Sequence, residues 1–143
     1  MGRIFFALSV SLFCTLTANA SGLVLQESGV EVSSIDFGDV NQGESATRYI
    51  RIFNDTNSVL ELVDIAVAGP VSRGAAAITI GSCPWSLMWP GESCFIPVTF
   101  SPPHPGKFRG SIEISGAVYD LLLGTTVMEQ KSVDIWGQDL PDR

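Results

Sequence analysis

Residues 90–102, Pro-Gly-Glu-Ser-Cys-Phe-Ile-Pro-Val-Thr-Phe-Ser-Pro, decide the fold class, because side chains of two kinds alternate along them. The alternation points Cys94, Ile96, Val98 and Phe100 inward, and Phe95, Pro97 and Thr99 outward. This pattern is typical of a β-strand in a sheet that buries one face. Because Pro97 has no N–H to donate, the strand is expected either to lie at a sheet edge or to place Pro97 at a non-bonded position.

Further strands are predicted on both sides of this stretch, each ended by Gly, Pro or Asn. They cover residues 44–54, 59–67, 77–80, 107–115, 118–127 and 132–137. In the first of them, Ile50 and Ile52 share one face. Segment 118–127 is compatible with one strand of a hairpin or with a short helical turn. Seven to eight short strands predict an all-β protein, an immunoglobulin-like β-sandwich.

The first twenty residues have the pattern of a secretory signal peptide. Arg3 precedes an apolar stretch at residues 4–16, and small residues at 17–20 provide a cleavage site. The apolar stretch is short for a membrane span, and no second basic flank follows it, which disfavours an uncleaved anchor. We predict cleavage after Ala20, a periplasmic or secreted mature chain, and no integral membrane span in that chain.

Loss of the signal peptide leaves two of the three cysteines, Cys83 and Cys94. An even number of cysteines in an oxidising compartment predicts one disulfide between them. Such a bridge closes a loop of about a dozen residues and adds roughly 3 kcal/mol of stability on the chain-entropy model. The spacing is not Cys-x-x-Cys and the sole histidine, His104, lies between prolines, so a structural bridge is favoured over a redox pair or metal site.

Charge limits the classes of partner. Eight Lys and Arg against fifteen Asp and Glu give a formal charge of −7, and loss of Arg3 brings it to about −8. Nucleic acids and anionic membrane surfaces recruit basic patches, so neither is expected as a partner. No repeat, charge run or low-complexity linker divides residues 21–143, which are predicted to form a single domain.

Catalysis is not expected. His104 is the only imidazole, and no sequence pattern recruits it as a base for a nucleophile. The carboxylate pairs Asp36 with Asp39 and Glu61 with Asp64 are more typical of a solvated surface than of an acid/base pair. No Asp-x-Asp-x-Asp run predicts calcium binding. The sequence therefore predicts a protein that is not an enzyme and has no metal site and no cofactor.

A set of short motifs resembles the ASH/hydin-type immunoglobulin-like domain, a family related to major sperm protein domains and to the N-terminal domain of periplasmic pilus chaperones. The motifs are Phe37-Gly38, a strand ending at Asn54, Pro90-Gly91-Glu92-Ser93-Cys94 and Phe95-Ile96-Pro97. They are shared by secreted bacterial members that carry a choice-of-anchor description. The resemblance covers about residues 33–138.

The resemblance implies a scaffold for protein–protein contact. Members of the family work in large assemblies and generally lack enzymatic activity. We therefore expect an exported interaction module, an accessory or structural subunit of an envelope or cell-surface complex with protein partners. The alternative is a pilus-like appendage subunit or a periplasmic assembly chaperone, which would polymerise or hold a partner's strand.

The loop that the predicted disulfide closes is the first candidate surface for a partner. In an extended segment, Trp85, Leu87 and Trp89 share one side, while Met88 points inward. A covalently closed loop with two indoles suits a binding hot spot, because Trp buries a large area at little entropic cost. The alternative is that the two rings cap the open end of the core.

A second candidate surface is the outward trio Tyr49, Arg51 and Phe53, which is unusual unless another strand, sheet or subunit covers it. A free sheet edge could also dock a partner by strand addition. Asn54-Asp55-Thr56 matches a glycosylation sequon, which has meaning only in a eukaryotic source.

Overall fold

The computed structural model describes residues 22–68 and 77–139, and the predicted signal peptide lies outside these ranges. The described residues form ten β-strands: β1 (Leu23–Glu27), β2 (Val30–Glu31), β3 (Ser34–Asp39), β4 (Ala46–Asn54), β5 (Val59–Ala68), β6 (Ile78–Ile80), β7 (Leu87–Met88), β8 (Ser93–Phe100), β9 (Gly106–Asp120) and β10 (Thr125–Asp139). Within these two ranges there is no helix that is long and apolar enough to cross a membrane.

The strands form two five-stranded sheets with one apolar core. Sheet A has the order β2-β1-β4-β8-β6, and sheet B has the order β3-β10-β9-β5-β7. Neighbouring strands are antiparallel except β3 and β10, which are parallel. The prediction of an all-β, immunoglobulin-like β-sandwich is confirmed, with ten strands in place of seven to eight.

Four observed strands, β1, β2, β3 and β7, correspond to no segment predicted from the sequence, and one predicted segment is not a separate strand. Strands β2 and β7 have two residues each, which is too short for an alternating pattern to be visible. The three segments predicted between residues 107 and 137 are instead two strands of fifteen residues, β9 and β10, paired along their whole length. Residues 121–124 form the turn between them, so segment 118–127 is neither a single strand nor a helical turn.

The core lies between the sheets and uses the inward faces predicted from sequence. Ile50 and Ile52 of β4 are fully buried. On β8 the buried side chains are Cys94, Ile96, Val98 and Phe100, while Phe95 between them is 62% exposed. Both alternations are therefore confirmed, and β4 and β8, paired as neighbours, supply the centre of sheet A.

Pro97 occupies a non-bonded position within an internal strand. Its carbonyl oxygen accepts a hydrogen bond from the Gly81 N–H at 2.9 Å, so its backbone nitrogen points to the same side, away from β4. That side lies just beyond Ile80, where β6 ends. The pyrrolidine ring packs over Gly81, where an added Cβ would lie 2.6 Å from the proline Cδ. The second of the two expectations for Pro97 is thus confirmed.

Phe100 at the end of β8 fits against a glycine of the opposite sheet. An added Cβ on Gly137 of β10 would lie 2.5 Å from the Phe100 ring. The same ring contacts Phe37 and Phe108, with ring centroids 5.6 Å and 5.5 Å away. The missing side chain at Gly137 is therefore what lets the two sheets approach around a large aromatic ring.

Asn54, the last residue of β4, is fully buried and its side chain joins three segments. Its amide nitrogen donates to the carbonyl oxygens of Ser58 at 2.8 Å and Met88 at 2.9 Å. Its amide oxygen accepts from the Thr56 N–H at 3.0 Å and from the Thr56 hydroxyl at 2.6 Å. The amide nitrogen is buried and donates two hydrogen bonds. Asn54 in the folded chain is therefore not an accessible glycosylation acceptor.

We expect Gly137→Ala to lower the free energy of unfolding by about 1–3 kcal/mol, the usual cost of forcing an extra methyl group into a packed core. The clash is with one ring, so Gly137→Ala should cost less in a Phe100→Leu background. Chemical denaturation of the four members of this double-mutant cycle measures the coupling. Strictly additive effects would show that Phe100 and Gly137 do not meet.

We expect Asn54→Asp to destabilise the fold by about 2–4 kcal/mol at pH 7, because a buried carboxylate would face two carbonyl oxygens. Burial raises the pKa of the new carboxyl above its unfolded value of about 3.9, so the deficit relative to wild type should shrink as pH falls towards that value. Urea denaturation between pH 4 and pH 7 measures this, with Asn57→Asp, at an exposed position in the same loop, as control. Equal effects of the two substitutions would contradict the role of Asn54.

Candidate functional site

The predicted disulfide is present and closes the loop that carries two tryptophans. Cys83 is bonded to Cys94, and their Cα atoms are 5.8 Å apart. Cys94 belongs to β8 and is buried in the core, whereas Cys83 is half-buried beside it. We call the segment from Cys83 to Cys94 the disulfide loop. The bridge fixes its first residue covalently to β8 of sheet A.

The middle of the disulfide loop is fixed to sheet B. Residues Leu87 and Met88 form β7, which pairs with Leu60 and Glu61 of β5. The Leu62 N–H adds a bond to the Ser86 carbonyl at 2.7 Å. Met88 is fully buried, as predicted, and its side chain fills the core below the loop. The loop therefore bridges the two sheets.

The last turn of the disulfide loop has the geometry that its Pro-Gly pair predicts. The Glu92 N–H donates to the Trp89 carbonyl at 3.0 Å, and Gly91 has a φ of 80°, which fits a type II turn. The Glu92 carboxylate in turn accepts a hydrogen bond from the backbone N–H of Trp89 at 2.9 Å. Two backbone bonds, Gly91 N–H to the Asn54 carbonyl and Asn54 N–H to the Glu92 carbonyl, tie the turn to β4.

The three predicted contact residues of the loop project into solvent. Trp85 and Leu87 are each 50% exposed and Trp89 is 59% exposed, and the buried core cluster contains neither indole. Trp85 borders a cleft of about 460 Å³ between β5 and β6, together with Val63 and Ile80. Trp89 borders a separate cavity of about 240 Å³ on the side of the β9–β10 turn. The loop thus presents an indole on each side of β7.

The surroundings of the loop are anionic. Glu92 lies in the loop, Glu61 and Asp120 lie on segments beside it, and residues 110–130 and 77–106 contain no Lys or Arg. The Tyr119 hydroxyl donates to the Glu61 carboxylate, and this hydrogen bond raises the pKa of Tyr119. The surface of the loop therefore presents aromatic rings beside carboxylates.

The second predicted surface lies on the outer face of sheet A and is larger than the trio inferred from sequence. Tyr49 is 60% exposed, and the Arg51 guanidinium lies over the Phe53 ring at 4.7 Å. Sheet pairing adds Phe95 opposite Arg51 and Pro97 opposite Tyr49. We call these five residues the aromatic face. The alternation along β8 already placed Phe95 and Pro97 outward, but only the register between strands brings them beside the trio.

One exposed apolar group was not predicted. Leu121, Leu122 and Leu123, here called the leucine tip, form the turn between β9 and β10. Their apolar character made them resemble a strand, and the signal that identifies the turn is the flanking pair Asp120 and Gly124. The Asp120 carboxylate accepts from the Leu122 and Leu123 N–H groups at 2.9 and 3.0 Å.

The residues considered for catalysis or metal binding make local contacts within the fold. His104 is exposed and packs against the Phe108 ring, with centroids 5.1 Å apart. The Asp36 carboxylate accepts from the Gly38 N–H at 2.8 Å. In residues 22–68 and 77–139, no three or more His, Cys, Asp or Glu side chains are grouped so that they could hold a metal ion.

Neither the scan against protein-family models nor the search of curated proteins finds a match. The search of solved structures does. The ASH/PapD-like domain of human CEP192 matches with a TM-score of 0.58 and 15% identity, over 98% of this chain and 100% of that domain. The periplasmic chaperone SfaE matches with a TM-score of 0.58 and 9% identity, over 84% of this chain and 59% of the chaperone.

The VesB protease of Vibrio cholerae matches with a TM-score of 0.59 and 14% identity, over 82% of this chain. This chain spans only 32% of VesB, so the likeness concerns one part of that protein. At these identities the matches establish the fold. The resemblance noted in the sequence is confirmed at that level: the chain has the fold of the ASH/PapD-like immunoglobulin-like domains.

Proposed function

We propose that this protein is an exported, non-enzymatic interaction module, an accessory or structural subunit of an envelope or cell-surface assembly. It contacts a protein partner through the disulfide loop, with Trp85, Leu87 and Trp89 as the contact residues. The observation that carries the proposal is the combination of half-exposed indoles with a backbone that is fixed at three places.

Those fixed places are the Cys83–Cys94 bridge, the β7 pairing with β5, and the turn bonded to Asn54. A loop held in this way loses little conformational entropy when a partner covers it. Trp is enriched among hot-spot residues, and truncation of one hot-spot side chain typically costs about 2 kcal/mol or more of binding free energy. Rigid backbone and exposed indoles together favour binding over a purely structural role.

Export is supported by two independent features. The signal-peptide pattern of residues 1–20 predicts secretion, and the bond between Cys83 and Cys94 is of the kind that persists in oxidising compartments. A periplasmic or secreted location follows from both. It also fits the fold shared with a periplasmic chaperone.

The alternative, an appendage subunit or assembly chaperone, is favoured by a specific feature of sheet B. Strand β7 pairs with β5 only at Leu60 and Glu61, followed by the bond from Leu62. From Val63 to Ala68 no described strand lies on that side of β5, and the cleft beside Trp85 opens there. Among residues 22–68 and 77–139 this part of the edge has no strand partner, so an extended segment of a binding partner could pair with it.

Replacement of Trp85 and Trp89 by Ala together tests the main proposal. We expect the protein to stay folded and to lose partner capture by at least about tenfold, because both hot-spot rings are removed. Cross-linking in the native envelope followed by quantitative mass spectrometry compares the variant with wild type. Val30→Ala, at a 68% exposed position on β2, is the matched control.

Unchanged capture by a folded double variant would contradict the loop proposal and favour the β5 edge. A double variant that does not fold would instead assign the two indoles to the core. Circular dichroism and thermal unfolding of the same samples separate these results.

Replacement of Cys83 and Cys94 by Ser tests the need for a fixed loop. We expect stability to fall by about 3 kcal/mol, as estimated for a loop of this length. Capture should weaken at a temperature where the variant is still folded, although both tryptophans are present, because binding then has to order the loop. If the folded variant captures its partner as well as wild type does, the bridge contributes to stability alone.

A further inference from the structure

The leucine tip is exposed to an unusual degree. Leu121, Leu122 and Leu123 are 76%, 97% and 75% exposed. The backbone below them is ordered, because the Asp120 carboxylate caps two of their N–H groups and the Gly124 N–H bonds to the Asp120 carbonyl at 2.8 Å. Consecutive large apolar side chains held out in this way mark a contact site rather than ordinary surface.

Carboxylates accompany the leucine tip. Asp120 borders the same cavity as Leu121 and Leu122, and the Glu92 carboxylate is bonded to Trp89 on the other wall of that cavity. Tyr119, one residue before Asp120, binds Glu61. The tip therefore combines an apolar centre with a negative border, and it suits an apolar surface that carries positive charge.

The aromatic face has those properties. Tyr49 and Phe95 are 60% and 62% exposed, and they stand beside Phe53 and Pro97 on one side of sheet A. At the centre lies Arg51, which donates to the Gln26 amide oxygen at 3.1 Å and stacks on Phe53. Among the described residues the one salt bridge joins Arg48 to Glu27, so Arg51 has no carboxylate partner there.

We propose that the leucine tip of one copy of this protein docks on the aromatic face of a second copy. The contact buries three leucines against aromatic rings and brings the carboxylates of the tip to Arg51. One copy cannot make this contact with itself, because the tip belongs to sheet B and the outer face of sheet A points away from that sheet. The proposal uses neither Trp85 nor Leu87, so it does not depend on docking through the disulfide loop.

A lipid surface fits the leucine tip less well. Stable attachment of a short apolar element to a membrane normally needs a second signal, most often a basic patch. Residues 110–130 contain no Lys or Arg, and the carboxylates beside the tip oppose anionic headgroups. Charge complementarity within the chain therefore favours a second copy. The contact is small, so we expect weak association that depends on protein concentration.

Sedimentation velocity of the purified protein over a concentration series tests the proposal. Wild type should show a mass that rises with concentration. A tip variant, Leu121→Ser with Leu122→Ser and Leu123→Ser, and a face variant, Tyr49→Thr with Phe95→Thr, should each stay at the monomer mass. Arg51→Glu should weaken association by about tenfold or more. Val30→Thr with Val63→Thr, which removes exposed apolar groups elsewhere, should associate like wild type.

The decisive sample is an equimolar mixture of the tip variant and the face variant. It contains one intact tip and one intact face per pair, so it should form 1:1 dimers and no larger species. A mixture that stays monomeric, or a wild type that stays monomeric at the highest concentration, would overturn the proposal. Tip-dependent binding to phosphatidylcholine vesicles without self-association would also overturn it. Trp85→Ala should self-associate like wild type, because Trp85 belongs to neither of the two surfaces.

Discussion

The buried side chain of Asn54 is the interaction on which the candidate site depends. One amide group satisfies the Ser58 and Met88 carbonyls and the Thr56 donors, and the backbone of the same residue holds Gly91 and Glu92. A buried amide is stable only when its donors and acceptors are paired, so this residue fixes the relative positions of three segments. The end of β4, the following turn and the disulfide loop therefore behave as one unit.

This unit explains how a small sandwich can hold large apolar side chains in water. Met88 faces the core while its neighbours Leu87 and Trp89 face solvent, because β7 is anchored in both sheets. Without such anchors, Trp85 would be free to fold onto the cleft between β5 and β6, and Trp89 onto the cavity beside the β9–β10 turn. The covalent bridge and the Asn54 hydrogen bonds stabilise the conformation in which these side chains are exposed. The result is a preformed surface whose border is acidic.

Much of the fold was predictable from local pattern. Alternation along β4 and β8 gave the buried faces, and the Cys83–Cys94 pair followed from the count of cysteines after removal of the leader. The aromatic face could be predicted only in part, because the register that places Phe95 beside Arg51 is set by pairing between distant segments. The leucine tip was missed because three leucines between Asp120 and Gly124 have the composition of a strand, while the carboxylate cap that makes them a turn is a structural feature.

Amide hydrogen exchange at the disulfide loop tests most directly whether the indoles stand on a fixed base. The decisive amides are those of Asn54, Leu62 and Gly91, which donate across the boundary between loop and sheet to the carbonyl oxygens of Glu92, Ser86 and Asn54, respectively. If the loop is held as described, we predict that these amides exchange as slowly as amides of the core strands, only when the domain unfolds. Exchange at the rate of an exposed surface loop, with the core strands still protected, would contradict a preformed site.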